Sequence, residues 1–113
     1  MSEVIIDQAT FAGMKDMVGD DFVGELVETF LEEAPGLLAE MDQALKNGDA
    51  ETFRRSAHSL KSNGASFGAM RLASLARELE HMGRDGRLDE AGANLLEAEI
   101  AYQQAAEALK ALL

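Results

Sequence analysis

The stretch from Arg54 to Ala69 reads RRSAHSLKSNGASFGA and holds one histidine, His58, near its start. On a helical wheel of about 100° per residue, its apolar and small residues gather on one side, at the spacing of a core-facing stripe. Counting the residue just before the stretch, they are Phe53, Ala57, Leu60, Gly64 and Phe67. His58 falls almost opposite that stripe. The pattern predicts an amphipathic helix with an exposed imidazole, and with Gly64 placed where a neighbouring helix approaches closely.

The residues that share the outer face with this imidazole are Arg54, Arg55, Lys61, Ser62 and Ala65. They combine positive charge, which can hold a negatively charged group at the ring, with small side chains, which let another protein approach it. An exposed histidine on an amphipathic helix is ordinarily a plain surface residue. The charge distribution of the chain argues against that interpretation here.

Two helices are predicted before this one. Asp7 is a plausible N-cap of a short helix that ends at Gly19, after a lead that includes the apolar Val4. A longer apolar stripe then begins at Phe22 and continues in register across Pro35. A proline removes one helical hydrogen bond and clashes with the preceding turn. The stripe is therefore either one long kinked helix or two stacked helices with Pro35 in the first turn of the second.

Two helices are predicted after it. Gly68 ends the histidine helix, and the next helix has an inward stripe that begins at Met70 and stops at the turn 83–86. Asp89 is expected to cap the last helix, whose apolar residues alternate in steps of three and four. Because short connections favour antiparallel neighbours, we expect an all-α protein, an antiparallel up-down four-helix bundle with a short extra N-terminal helix. It should form a single domain over residues 1–113.

Composition excludes several classes of function. The chain has 113 residues, a formal net charge of −11 and no cysteine, so disulfides and thiolate metal sites are excluded. The negative charge disfavours nucleic acid as a partner. No apolar run approaches the ~20 residues that span a bilayer, and no secretory signal is recognisable. We expect a cytoplasmic protein that binds neither nucleic acid nor membrane.

The charge is distributed unevenly along the chain. Between Arg54 and Arg87, seven basic residues accompany three acidic ones, a net charge of +4, while the rest of the chain carries −15. A scattered mixture of charges is typical of a solvated face, but this segregation is not. It predicts a basic surface that attracts an acidic partner.

Few residues offer catalytic chemistry. The chain has no glycine-rich phosphate loop, no G-x-S-x-G motif and no H-E-x-x-H motif, and neither His58 nor His81 has a partner at metal-ligand spacing. A neutral imidazole is a good nucleophile near pH 7, which leaves His58 as the one reactive group in a favourable setting. No carboxylate is evident to orient its second ring nitrogen. The sequence therefore predicts a half-site, completed when a partner docks.

The segment AHSLK at residues 57–61, with Gly68-Ala69 following, resembles the signature of histidine-containing phosphotransfer (HPt) domains. The same pattern is matched by Phe30-Leu31 upstream and by Leu72, Leu75, Leu79-Glu80 and Gly86 downstream. The resemblance covers essentially the whole chain. The family commonly has glycine directly after the lysine, where this chain has Ser62, and that departure bears on partner preference.

The resemblance implies a phosphorelay intermediate of two-component signal transduction. His58 would accept a phosphoryl group from an aspartyl phosphate on a receiver domain and pass it to an aspartate on another. Lys61 would stabilise the phosphoryl charge, while Arg54, Arg55, Ser62 and Ala65 would contact the partner. These partners would be receiver domains of hybrid histidine kinases and response regulators, and they would bring the Mg²⁺. The chain itself would be a monomer without cofactor, metal site, ATP binding or autokinase activity.

Two alternatives stay open at this point. One is a phosphate-independent adaptor or oligomerising bundle that has the fold but not the relay. The other is a phosphoacceptor module of a larger kinase. If His58 carries the phosphoryl group, His81 is expected to be an ordinary surface residue, because the acidic Glu78 and Glu80 are its neighbours in sequence and would oppose a phosphoryl dianion.

Overall fold

The computed structural model describes residues 5–113, and that range is all-helical, without a strand. Its helices are α1 (Gln8–Val18), α2 (Asp20–Asn47), α3 (Ala50–Ser66), α4 (Met70–Arg84) and α5 (Gly92–Leu112), with a 3-10 turn at Leu88–Glu90. The all-α prediction is confirmed. Val4, and with it the start of the predicted domain, lies outside the described residues. None of the described helices is both long and apolar enough to cross a membrane.

The two ends of the N-terminal helix lie where the sequence predicts them. The Asp7 side chain caps α1 by accepting two hydrogen bonds from Thr10, one from the backbone N–H at 3.1 Å and one from the Thr10 hydroxyl. Gly19 ends the helix with φ +90°, a conformation that side chains rarely adopt.

The histidine helix also ends as predicted. Gly68, at φ +80°, follows the last turn of α3. Its N–H donates to the carbonyl of Ala65, and the N–H of Ala69 donates to the carbonyl of Gly64. These two hydrogen bonds form a complete Schellman motif. The Gly68 carbonyl accepts from the N–H of Asp7 at 2.8 Å, so this turn also anchors the start of α1.

Three predicted positions are wrong. Asp89 lies within the 3-10 turn and does not cap the last helix, because α5 begins only at Gly92. Phe22 is 50% exposed, since the buried stripe of α2 is narrower than predicted and begins at Val23. Met70 is 44% exposed because it is the first residue of α4, whose buried positions begin only at the third residue.

Pro35 lies inside α2, which continues as one helix from Asp20 to Asn47. A proline has no N–H, so it cannot donate to the carbonyl of Leu31, four residues earlier. The hydroxyl of Tyr102, on α5, donates to that carbonyl at 3.1 Å. The Tyr102 ring also packs edge-on against Phe30, with the ring centroids 5.9 Å apart. A side chain of the last helix thus compensates for the proline in the second.

The predicted stripe of α3 forms part of the core, since Phe53, Ala57, Leu60, Gly64 and Phe67 are all buried. Helix α3 packs mainly against α4 and next against α2, while α5 contacts both α4 and α2. A Cβ built at Gly64 would lie 3.4 Å from the backbone nitrogen of Ala73, on α4. This close approach of α3 and α4 supports the predicted packing role of Gly64.

Candidate functional site

His58 projects from the middle of α3 into solvent. Its side chain is 57% exposed, whereas Ala57 and Leu60 beside it are fully buried. The buried neighbours fix the helix, and the helix fixes the direction in which the imidazole leaves it. The exposed histidine predicted from the helical wheel is therefore present on a well-anchored element.

A carboxylate does orient the ring, contrary to the sequence prediction of a half-site. Nδ1 of His58 lies 2.8 Å from Oε2 of Glu80, whose side chain is only 15% exposed. Glu80 belongs to α4 and is 22 residues away in sequence. It is brought to the histidine by the close packing of α3 and α4. The prediction failed because the contact crosses two helices.

Lys61 occupies the other oxygen of the same carboxylate. Its Nζ lies 2.6 Å from Oε1 of Glu80. The hydrogen bond from Lys61 lowers the pKa of Glu80 below its ordinary value of 4.5; burial opposes this shift and the hydrogen bond with His58 adds to it. Glu80 is consequently a carboxylate anion at neutral pH, held by one contact on each oxygen.

The contact with Glu80 decides which ring nitrogen of His58 is free. An ionised carboxylate can only accept hydrogen bonds, so in the neutral imidazole Nδ1 must be the nitrogen that carries the proton. Nε2 is then unprotonated and has its lone pair available. The side chain presents an oriented nucleophile on an exposed surface.

The remaining residues predicted for the site lie on the same helix and make no hydrogen bond or ion pair with the ring. Arg54 pairs with Glu51, Nη2 to Oε1 at 2.6 Å, and Nε of Arg55 lies 3.8 Å from the same carboxylate. Ser62 and Ala65 are exposed farther along α3. The structure therefore brings Lys61 into the histidine cluster but directs Arg54 and Arg55 to Glu51.

An open groove of about 540 Å³ lies beside His58, between α2 and α3. It is lined by Glu32, Glu33, Gly36, Leu37, Glu40, His58, Ser59, Ser62 and Asn63. Glu40 is held in place by the buried Ser56, whose hydroxyl donates to Oε2 at 3.0 Å. The sequence did not reveal this groove, because the three glutamates lie on a different helix and their pattern is typical of any solvated face.

Within residues 5–113, no group of three or more histidine and carboxylate side chains is arranged to hold a metal ion. His81, the second histidine, lies on α4 and is half-buried. Its ring is not part of the cluster formed by His58, Glu80 and Lys61.

The chain belongs to the Hpt domain family, whose model matches residues 25–112. It is similar to the phosphorelay protein LuxU of Vibrio vulnificus strains YJ016 and CMCP6, with 32% identity over 87 residues and 76% of each chain covered. The crystal structure of histidine-containing phosphotransfer protein B (HptB) from Pseudomonas aeruginosa PAO1 is similar throughout. Its TM-score is 0.90 at 29% identity, over 96% of this chain and 94% of that one. The predicted resemblance to HPt domains is confirmed.

Proposed function

We propose that His58 accepts a phosphoryl group from the aspartyl phosphate of one receiver domain and passes it to the aspartate of another. Membership of the Hpt family makes the chain a phosphorelay intermediate, a carrier rather than a kinase. It also disfavours the phosphate-independent adaptor. The observation that supports His58 as the acceptor is its 2.8 Å contact with Glu80, which leaves Nε2 unprotonated on an exposed ring.

The transfer step follows from this geometry. Nε2 attacks the phosphorus, an N–P bond forms, and the P–O bond to the aspartate breaks, with the electron pair leaving on the carboxylate. Nδ1 keeps its proton throughout, and the positive charge that develops on the ring is offset by the Glu80 anion. Because positioning and charge stabilisation provide most of the catalysis of phosphoryl transfer, an oriented histidine is sufficient on this side. The reverse reaction uses the same contacts.

Lys61 fits two roles in this proposal. One N–H of its ammonium group donates to Glu80, which keeps that carboxylate ionised. An ammonium group has three donors, so two remain for the oxygens of a phosphoryl group on the neighbouring ring. Lys61 is therefore the cation we assign to the phosphorylated state.

The finer features of the relay belong to the same proposal. The partners are receiver domains of hybrid histidine kinases and response regulators, which provide the Mg²⁺, while this chain binds no ATP or other cofactor. Ser62, Ala65, Arg54 and Arg55 lie at the partner surface. We further propose a cytoplasmic monomer with residues 1–113 as one domain. Its scaffold would be the antiparallel up-down bundle of α2 to α5, which the contacts between successive helices support.

The test is transfer from a panel of purified receiver domains, each carrying labelled aspartyl phosphate. His58→Gln should abolish the acid-labile, base-stable label, whereas the matched variant His81→Gln should retain it. Substitution at an exposed site such as His58 changes the free energy of unfolding by about 0.5 kcal/mol or less, and His81 is only half-buried, so both variants should fold. Label that persists in folded His58→Gln protein contradicts the proposal.

A further inference from the structure

The groove beside His58 continues along the seam between α2 and α3. A second opening of about 190 Å³ adjoins the first and shares Leu37, Glu40 and Ser59 with it. The second opening extends away from the histidine towards Thr52 and Arg55. His58 therefore stands at the border of an elongated surface, and a folded partner that reaches Nε2 must cover part of it.

The two walls of this groove differ in chemistry. The α2 wall presents the carboxylates of Glu32, Glu33 and Glu40, all on exposed residues. The α3 wall presents the small, uncharged side chains of Ser59, Ser62 and Asn63. Leu37, on α2, adds an apolar side chain to the lining of the groove.

The larger opening, next to His58, carries negative charge. Lys61 is paired with Glu80, and Arg54 and Arg55 share the carboxylate of Glu51, so these three cations of α3 are already engaged by carboxylates. Glu32 and Glu33, in contrast, have no ion-pair partner in the described part of the chain. The larger opening beside the ring is thus lined by carboxylates and by no lysine or arginine, although residues 54–87 sum to +4.

We propose that the receiver domains that exchange phosphoryl groups with His58 dock a lysine- or arginine-bearing segment into this groove, against Glu32 and Glu33. The inference rests on the function proposed above and names the chemistry of the partner. The reactive ring marks where a protein must dock, and the unpaired carboxylates beside it favour a cationic surface. They also disfavour receivers whose docking surface is acidic, so the same two residues select among partners.

A charge-reversal pair with a matched control tests this proposal. The groove variant combines Glu32→Lys with Glu33→Lys. The control combines Glu25→Lys with Glu107→Lys, at exposed positions that do not line the groove. Both variants change the formal net charge from −11 to −7, because each substitution adds two positive charges. Any effect of overall charge is therefore equal in the two proteins.

Two phosphoryl donors are compared. One is a purified receiver domain carrying aspartyl phosphate, chosen because it labels the parent protein. The other is phosphoramidate, a small molecule that phosphorylates histidine without docking. With the receiver as donor, kcat/KM should fall about tenfold or more in the groove variant and less than about twofold in the control. Phosphoramidate should still label His58 in both variants.

The outcomes separate the two proposals. Transfer from the receiver to the groove variant at the parent rate, or faster, overturns the docking inference and leaves the relay function intact. If phosphoramidate labels the parent protein but no receiver domain does, the relay function itself fails, and the docking inference fails with it. Added salt gives a second reading, because it should slow transfer to the parent protein more than transfer to the groove variant.

Discussion

The hydroxyl of Tyr102 should stabilise the fold specifically because Pro35 lies inside α2. Tyr102→Phe removes that hydroxyl and keeps the ring that packs edge-on against Phe30. The carbonyl of Leu31 then loses a hydrogen bond of 3.1 Å, slightly long for a hydroxyl donor, at a half-buried site. A bond of this kind contributes about 0.5–1.5 kcal/mol net, so we expect Tyr102→Phe to lower the free energy of unfolding by about 1 kcal/mol.

The same substitution should cost less when the proline is absent. In Pro35→Ala protein, the new backbone N–H is placed to donate to the Leu31 carbonyl, as in any regular helix. Tyr102→Phe should then cost less than about 0.5 kcal/mol, because its partner is no longer short of a donor. The effect of Pro35→Ala by itself cancels in the double-mutant cycle, which isolates the coupling between the two positions.

Urea unfolding of the four proteins, followed by helical circular dichroism, measures this coupling. Equal dependence of the unfolding free energy on urea in all four would show that the substitutions leave the denatured state alike. If Tyr102→Phe costs the same in both backgrounds, the hydroxyl does not compensate for the proline. If it costs nothing in the parent protein, the hydrogen bond is not a stabilising one.

Further outcomes follow from the site and from the contact between α3 and α4. The lowered pKa of Glu80 means that its stabilising contribution is present above its ordinary value of 4.5 and is lost as pH falls through its folded-state value. The difference in free energy of unfolding between the parent and Glu80→Gln proteins, measured by urea melts, should therefore shrink below about pH 4.5. A difference that stays constant with pH would contradict this. Gly64→Ala should be tolerated, because its Cβ would meet only ordinary van der Waals contacts. Gly64→Leu should lower the free energy of unfolding by about 1–3 kcal/mol, and no loss of stability in this variant would refute tight packing at the position. Gly83→Ala should lower the free energy of unfolding by about 1 kcal/mol, since its Cβ would lie 3.1 Å from the backbone nitrogen of Arg54. A urea melt identical to the parent's would show that α3 and α4 move apart without cost to admit the methyl group.

Periodicity predicted the elements of this fold because it is a local property. The stripe of α3 and the caps at Asp7 and Gly68 depend on residues within one or two turns, and all three are confirmed. Phe22 and Met70 were misassigned because both lie in the first turn of a helix, where apolar periodicity continues beyond the buried face. The residues around Pro35 did not show whether α2 continues as one helix, since the hydroxyl that compensates for the proline belongs to Tyr102 on α5.

The candidate site divides in the same way. The exposure of His58 and its proximity to Lys61 follow from the helical wheel, because both residues belong to α3. The orienting role of Glu80 depends on how α4 packs against α3, which periodicity does not specify. One signal was present in the sequence: Glu80 stands beside Leu79 on the inward side of its helix, an unusual place for a carboxylate without a partner.

Charge totals proved to be a poor guide to the surface around the histidine. Residues 54–87 sum to +4, yet the partner of Arg54 is Glu51, which lies just outside that window. Lys61 is engaged by Glu80 within the window. The carboxylates of Glu32 and Glu33, which come from α2, line the groove without an ion-pair partner among residues 5–113. The charge that a partner meets depends on ion pairs between side chains, and a sum of charges along the sequence does not record those pairs.

The position of the phosphoryl group tests the role of His58 most directly. Protein labelled with ¹⁵N is phosphorylated by a receiver domain, and the ring nitrogens of both histidines are assigned by long-range ¹H–¹⁵N NMR with phosphorus coupling. We expect phosphorus on Nε2 of His58 alone, with the proton retained on Nδ1 beside Glu80. Phosphorus on His81, or on Nδ1 of His58, would contradict it.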